Sequence, residues 1–414
     1  MRRFVGTTLL VLFALVASQS AQAQTFTVIH RFLGEDGASP FAGLTMDGSG
    51  RLYGTTVGGG ASGHGTVFRL RRSGSSWVLA PLYSFAGGND GADPQSRVVF
   101  GPDGSLYGTT VQGGSSGCGG EGCGTVFGLR PPSTACKAAL CPWTETILHA
   151  FSGVSDGGQP LGDLIFDDAG NPYGTTPIGG GYGAGNVYQL TPSGGGWTEN
   201  NLYGFLRFGT LQLPFAGVTR DKAGNLYGTA VGGDYGGVFA LTPSGSSWVY
   251  NQVYVLQGGV EGGVPRAGLI LDEAGNLYSA TASYGAGGGG TVFELMPSND
   301  GWGFSVLYSF VGVCCNEVGP WATLVMDAAG NLYGTTFGDG AYGLGSVFEL
   351  SPGPSGWTYT SLHDFTGGND GANPVSNVIF DASGNLYGTA STGAQKYNCP
   401  TNGNGCGVVW EITP

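Results

Sequence analysis

A tyrosine recurs along this chain at Tyr53, Tyr107, Tyr173, Tyr227, Tyr278, Tyr333 and Tyr387, with spacings of 54, 66, 54, 51, 55 and 54 residues. Thirteen residues before each stands a proline: Pro40, Pro94, Pro160, Pro214, Pro265, Pro320 and Pro374. Six residues before it stands Asp47, Gly101, Asp167, Asp221, Asp272, Asp327 or Asp381. Seven copies in one register mean that a single supersecondary unit is repeated, because an ordinary domain has no reason to restate its spacing. The most repeated phrase, GNLYGT, occurs at 224–229, 330–335 and 384–389.

Each unit reads as four short strands. The first follows the proline and alternates apolar residues, as in AGLTMD. An Asp-x-x-Gly turn leads to the second, LYGTT. A glycine-rich loop leads to the third, such as GTVFEL, and a turn such as TPSG leads to the fourth. The fourth starts at Trp77, Trp143, Trp197, Trp248, Trp302 or Trp357 and ends in patterns like LYSF or LHAF. The 83 glycines and 21 prolines are about a quarter of the 414 residues, which alone allows disorder, but 12% aromatic residues supply a core that disordered chains lack. The expectation is an all-β fold: a seven-bladed β-propeller of four-stranded antiparallel blades. Residues 25–32 match a fourth strand and the chain ends on GVVWEI, a third strand, so the N-terminal strand should close the last blade and remove the ring's open edge. In the phrase itself, Leu and Tyr should fill the space between blades, Gly should admit a neighbouring backbone, and the two Thr should favour a strand.

Tandem units reading D-x-x-G-N-L-Y-G-T-T, a glycine-rich loop, then G-T-V-F-x-L-x-P behind an export leader resemble the bacterial GloVer (Gloeo-Verruco) tandem-repeat proteins. That resemblance covers nearly the whole mature chain. It implies an exported repeat protein and brings no catalytic residues to carry over.

Residues 1–23 read as a signal peptide: Arg2 and Arg3, an apolar run FVGTTLLVLFALVA, and Ala21-Gln22-Ala23 before the expected cleavage. The run is too short for a membrane span. Residues 24–414 are then one secreted or periplasmic, monomeric propeller. Loss of Arg2 and Arg3 takes the formal charge from −13 to −15, which excludes nucleic acid as a natural partner.

Eight cysteines fall in close pairs, Cys118 and Cys123, Cys136 and Cys141, Cys314 and Cys315, Cys399 and Cys406. In an exported chain these predict disulfides closing inserted loops; zinc held by the C-x4-C pairs of the second unit is the alternative, and Cys314 and Cys315 form a vicinal ring or pair elsewhere. The recurring Asp reads as a turn residue, with too few oxygens around it for calcium. His30, His149 and His363 stand where other units have Tyr83, Tyr203, Tyr254 or Tyr308, so they read as outer-strand aromatics, while His64 lies free in a loop. The letters G-x-S-x-G at 113–117 have no following helix and read as a loop. No metal or cofactor is expected.

Departures from the repeat on one face are the functional candidates. Loops between fourth and first strands carry Asp36, Asp90, Asp156, Glu261 and Asp370; those between second and third strands carry Tyr182, Tyr235, Tyr284, Tyr342 and Tyr397. Such acids and rings would suit sugars, against a reading as loop turns and rim cover. One residue after the recurring proline stand Phe41, Gln95, Leu161, Phe215, Arg266, Trp321 and Val375; three after it stand Gly43, Arg97, Asp163, Gly217, Gly268, Thr323 and Asn377. Of these, Arg97, Asp163, Arg266, Trp321 and Asn377 are the candidate ligand pocket at the channel mouth, with an Arg97–Asp163 ion pair as the competing structural reading. The function expected is non-catalytic binding of a glycan or protein. The alternatives are a hydrolase, lyase or lactonase using channel-mouth carboxylates, and a passive envelope or adhesion scaffold.

Overall fold

The computed structural model describes residues 24–132, 143–312, 316–394, 399 and 404–414. Residues 1–23, read above as a signal peptide, and Cys136, Cys141, Cys314, Cys315 and Tyr397 lie outside the described residues. Seven four-stranded antiparallel sheets follow one another along the chain, forming a seven-bladed β-propeller. In the first blade the inner strand is Thr45–Met46, the second Leu52–Thr56, the third Thr66–Ser73 and the outer Ser76–Ser84. The seventh blade takes its inner three strands from Ile379–Phe380, Leu386–Ala390 and Val408–Thr413, and its outer strand from Thr25–Arg31. Thr25 pairs with Thr413 and Phe26 with Ile412, so backbone hydrogen bonds join the start of the described chain to its end.

The hairpin between inner and second strands shows why the aspartate and tyrosine keep step. In the sixth blade Asp327 accepts from the backbone N–H groups of Ala329 (2.8 Å) and Asn331 (2.9 Å) through one oxygen. Its other oxygen accepts from the Asn331 amide (2.8 Å) and the Tyr333 hydroxyl (3.2 Å). The tyrosine hydroxyl meets its aspartate likewise in blades 1, 3, 4, 5 and 7. In the second blade Gly101 stands in the aspartate's place and the Tyr107 ring lies over it, 2.3 Å from where a Cβ would be; Asp103 supplies the carboxylate instead, 3.1 Å from the Tyr107 hydroxyl. With its lone pairs in use, the carboxylate is a turn clamp, in line with the turn reading.

Held at its hydroxyl, each ring is pressed into the next blade. Tyr53 meets Phe100 and Trp143, Tyr227 meets Trp302, and Tyr387 meets Trp77 of the first blade across the ring closure. The glycine of the phrase corrects the expectation of a close backbone: at Gly54, Gly108, Gly228 and Gly334 a Cβ would lie 2.4 to 2.8 Å from the phenylalanine facing it on the third strand of the same blade. The site is shaped for a ring, and Trp410 fills it over Gly388. The first threonine bonds round the propeller as well, from Thr55 to the Ser96 carbonyl, Thr335 to the Ser376 carbonyl, and Thr389 to the Pro40 carbonyl at 3.1 Å. Every third-to-outer strand pairing shares one bulge, with a second register shift in the third and fifth blades, and the residue the shared bulge displaces is apolar: Ile29, Leu82, Leu148, Leu202, Val253, Leu307 or Leu362.

Farther out, interfaces between blades are closed by stacked rings, Tyr203 on Tyr250 (4.1 Å), Tyr254 on Phe304 (4.5 Å), Tyr308 on Tyr359 (4.7 Å) and His363 on Phe26 (3.6 Å). The second blade departs from this. At the place of Tyr250 it and its successor have Glu145 and Glu199, each half-buried with one oxygen that meets no hydrogen-bond partner among the described residues. Burial, reinforced by Asp90 beside Glu145 and Asp156 beside Glu199, pushes both carboxyls up to about 7.

Gly228→Ala forces a Cβ to 2.4 Å from the Phe239 ring and should cost about 1–3 kcal/mol, whereas Gly48→Ala, whose Cβ meets nothing within 4 Å, should stay within about 0.5 kcal/mol; chemical denaturation compares them. The two glutamates hold their protons more tightly folded than unfolded, so their contribution is full below the unfolded value near 4.5 and is lost as pH rises toward 7. The Tm should therefore fall between pH 4.5 and 7, by the equivalent of about 1 kcal/mol per group after allowing for solvent exposure, and Glu145→Gln with Glu199→Gln should flatten that slope.

Candidate functional site at the channel mouth

Because the inner strands line the axis and begin on the face that carries the outer-to-inner loops, residues just after the recurring proline face the channel mouth. They enclose a cavity of about 480 Å³. All fourteen positions singled out by offset from the proline line it, with the candidate residues Arg97, Asp163, Arg266, Trp321 and Asn377 among them. Deeper in, Ile165, Thr219, Ile270 and Val325 make a mostly apolar wall.

The polar groups are held in two fixed pairs. Asp163 accepts from the Arg97 backbone N–H at 2.8 Å and from its Nε at 3.0 Å, spanning the second and third blades. Arg266 donates through Nε to Glu317, and its guanidinium lies 4.9 Å from the Phe215 ring centre and 4.6 Å from that of Trp321. Phe337 stacks on the other side of Trp321 at 4.6 Å, and the Trp321 indole N–H donates to the Glu317 carbonyl at 2.8 Å. The order Phe215, Arg266, Trp321, Phe337 is thus one stack, in which Trp321 is a wall with its faces covered. The side chain of Asn377, half-buried, makes no hydrogen bond to the described residues. Glu317 was not foreseen: it sits in a loop outside the regular register, and only the three-dimensional path brings it to Arg266.

The loop acids have structural partners. Asp36 bonds His30 (2.9 Å), Asp156 bonds His149 (3.1 Å), Asp370 bonds His363 (3.2 Å), Asp90 bonds Tyr83 (3.1 Å) and Glu261 bonds Tyr254 (3.0 Å). Each also accepts a backbone N–H of its own loop, as Thr366 gives to Asp370 at 2.9 Å. Burial pushes the Asp370 carboxyl up, but the bonds from Thr366 and His363 outweigh it and leave the group below its ordinary value. The outer-strand His or Tyr and the loop acid form one clamp in each of five blades. Of the loop tyrosines, Tyr182 and Tyr342 are exposed, while Tyr235 and Tyr284 pack edge to face at 5.1 Å.

The Gloeobacter/Verrucomicrobia repeat matches residues 12–235 and 230–414. The chain belongs to that family. No curated protein matches it. Solved structures similar to it include a provisionally assigned 6-phosphogluconolactonase from Bacteroides uniformis, at 14% identity over 78% of this chain and 84% of that one with a TM-score of 0.49. Another is a provisionally assigned oxidoreductase (glucose dehydrogenase) from Thermus thermophilus, at 15% identity over 94% of this chain and 100% of that one, TM-score 0.45. A third is a luciferin-regenerating enzyme, at 13% identity over 94% and 95%, TM-score 0.41. Likeness at this level says nothing of what the present chain does.

In this member of the Gloeobacter/Verrucomicrobia repeat family the remaining chemical candidates have structural places. Cys118 is joined to Cys123, which removes that pair from zinc binding, and Cys399 to Cys406. The Ser115 hydroxyl accepts the Gly117 and Cys123 backbone N–H groups within its loop. His64 is exposed, its ring against Gly87. Among the described residues no group of three or more His, Cys, Asp or Glu side chains is arranged to hold a metal, and no helix is long and apolar enough to cross a membrane.

The Arg97–Asp163 pair is about a third exposed on each side. A double-mutant cycle with Arg97→Ala and Asp163→Ala should give a coupling of about 1 kcal/mol that shrinks in high salt; additivity would mean that the pair holds nothing.

Proposed function

We propose that the protein is an exported, non-catalytic binding propeller that takes the end of a glycan into the channel-mouth cavity. The observation that carries this reading is the chemistry of the lining. Asp163 is its one carboxylate and is tied to Arg97 through both oxygens, while donors remain for a ligand: the outer nitrogens of Arg97 and Arg266, the Asn377 amide and the Gln95 amide. Beside them lie the apolar faces of Phe41 and Phe215. Fixed donors next to apolar faces suit the hydroxyls and the carbon face of a sugar, and about 480 Å³ suits one or two rings. A hydrolase reading asks for two carboxylates free to exchange protons across a substrate, which this lining does not offer. The disulfides Cys118–Cys123 and Cys399–Cys406 accord with an extracytoplasmic location.

The test is a thermal-shift and calorimetric screen of the protein against neutral and acidic oligosaccharides. A saturable rise in Tm is expected, with Asn377→Ala and Gln95→Ala each weakening binding about tenfold at unchanged unliganded Tm. Lack of response to every oligosaccharide sinks the reading, and cleavage of a bound sugar, seen by mass spectrometry, would replace it with the hydrolase.

A further inference from the structure

The first blade breaks the repeat in a second place, at the opposite end of its strands. Its third strand reads RLRRS, with Arg69, Arg71 and Arg72, and the hairpin below it carries Arg51. At the equivalent of Arg72 the other six blades all have proline, and at the place of Arg51 five of them have the turn asparagine. At the four places together those six blades hold a single arginine, Arg130. The whole chain has only 15 Lys and Arg against 28 Asp and Glu, so four guanidiniums in one spot are a concentration that composition does not produce.

Register puts three of them on one surface. Leu52 pairs with Leu70 and Tyr53 with Arg69, so one step further along Arg51 stands opposite Arg71. Alternation places Arg51, Arg69 and Arg71 on the same face of the blade. Like charges directly opposite across a strand pair are destabilising unless something neutralises them. Arg51 has Asp47 at 3.4 Å, and Arg72 is held by Glu411 and the Tyr387 hydroxyl across the ring closure. Arg71 is exposed and has no hydrogen bond or ion pair among the described residues. The Arg69 Nε is buried and meets no hydrogen-bond partner. A hollow of about 400 Å³ is bordered by all four arginines, with Trp77 and Tyr387. The single carboxylate on its border, Asp381, is taken up by the backbone of Ser383, by Asn385 and by Tyr387.

We propose that this hollow is a binding site for a tetrahedral oxyanion, a phosphate or sulfate group, gripped by Arg69 and Arg71. Guanidinium forks match such oxygens two at a time, and the anion supplies the counter-charge and the acceptor that this face lacks. Arg72 and Arg51, each tied to its own carboxylate, frame the site. The proposal is independent of the channel-mouth reading.

Sodium sulfate and sodium phosphate, each against sodium chloride at equal ionic strength, test it by thermal shift and calorimetry on the full protein. Dextran sulfate against neutral dextran tests the same group carried on a polymer. A saturable rise of at least about 1 °C with sulfate or phosphate is expected, with binding weakened about tenfold or more in the Arg69→Gln, Arg71→Gln double variant and unchanged in Arg207→Gln, on the opposite face. A response to dextran sulfate that the double variant also loses identifies an ester on a polymer as the ligand; a response confined to the inorganic ions identifies the free anion. The absence of any response beyond chloride, or an equal response in the double variant, overturns the proposal. Because Arg71 is exposed and its side chain makes no hydrogen bond or ion pair among the described residues, Arg71→Gln alone, expected to retain the unliganded Tm, keeps the test valid if the double variant folds poorly.

Discussion

Every blade depends on one side chain that serves two sheets: the tyrosine fixed by its hydroxyl to the hairpin aspartate and by its ring to the next blade. The aspartate cannot be exchanged for another turn residue without releasing the ring, and the ring cannot shrink without opening a gap between blades. That coupling explains why two positions six residues apart stay in register. It also explains the one exception, where Gly101 gives way to Asp103 and the carboxylate returns to the same hydroxyl from two residues further on. What is preserved is the bond to the hydroxyl, whichever residue supplies it.

A ring of such wedges stores no free edge only if its last interface is as good as the others. Here the closing interface uses the same parts: Tyr387 against Trp77, Thr389 to the Pro40 carbonyl, and an outer strand supplied by Thr25–Arg31. The additional Arg72 bridge to Glu411 crosses at this same junction. The seam is therefore tied by backbone pairing, ring packing and charge together, while the first-to-second and second-to-third interfaces give up their stacked outer rings for Glu145 and Glu199. The outer packing around the ring is uneven, with half-buried glutamates on both sides of the second blade where four other interfaces have stacked rings.

Much of this was legible before any coordinates. The repeat period set seven blades, the two chain ends set the closure, and counting from the proline named fourteen residues that all line the cavity, because alternation along a strand is a rigid rule. Legibility failed where contact is made by side chains far apart in sequence or by a shift in pairing. The glycine of GNLYGT looks like room for a backbone, and only cross-strand register shows that it seats a phenylalanine ring. Asp156 and Asp370 look like free rim acids until the bulged outer strand brings His149 and His363 to them. Trp321 looks like an open platform until Phe337 and Arg266 cover its faces. Glu317 gives no signal at all, since its loop obeys no repeat.

The same logic separates scaffold from chemistry. A position that every copy shares must satisfy seven similar environments, so it can carry only what a blade needs. A position where one copy differs is free of that demand, and it either repairs a local defect or answers to something outside the fold. Asp103 is a repair, since it restores a bond the other blades make. Arg69 and Arg71 repair nothing: one leaves a buried nitrogen unmet and the other faces solvent opposite a like charge. Departures that bring the isolated fold no bond in this way answer to something outside it, so in a repeat protein such exceptions point to binding more directly than the cavity's size does.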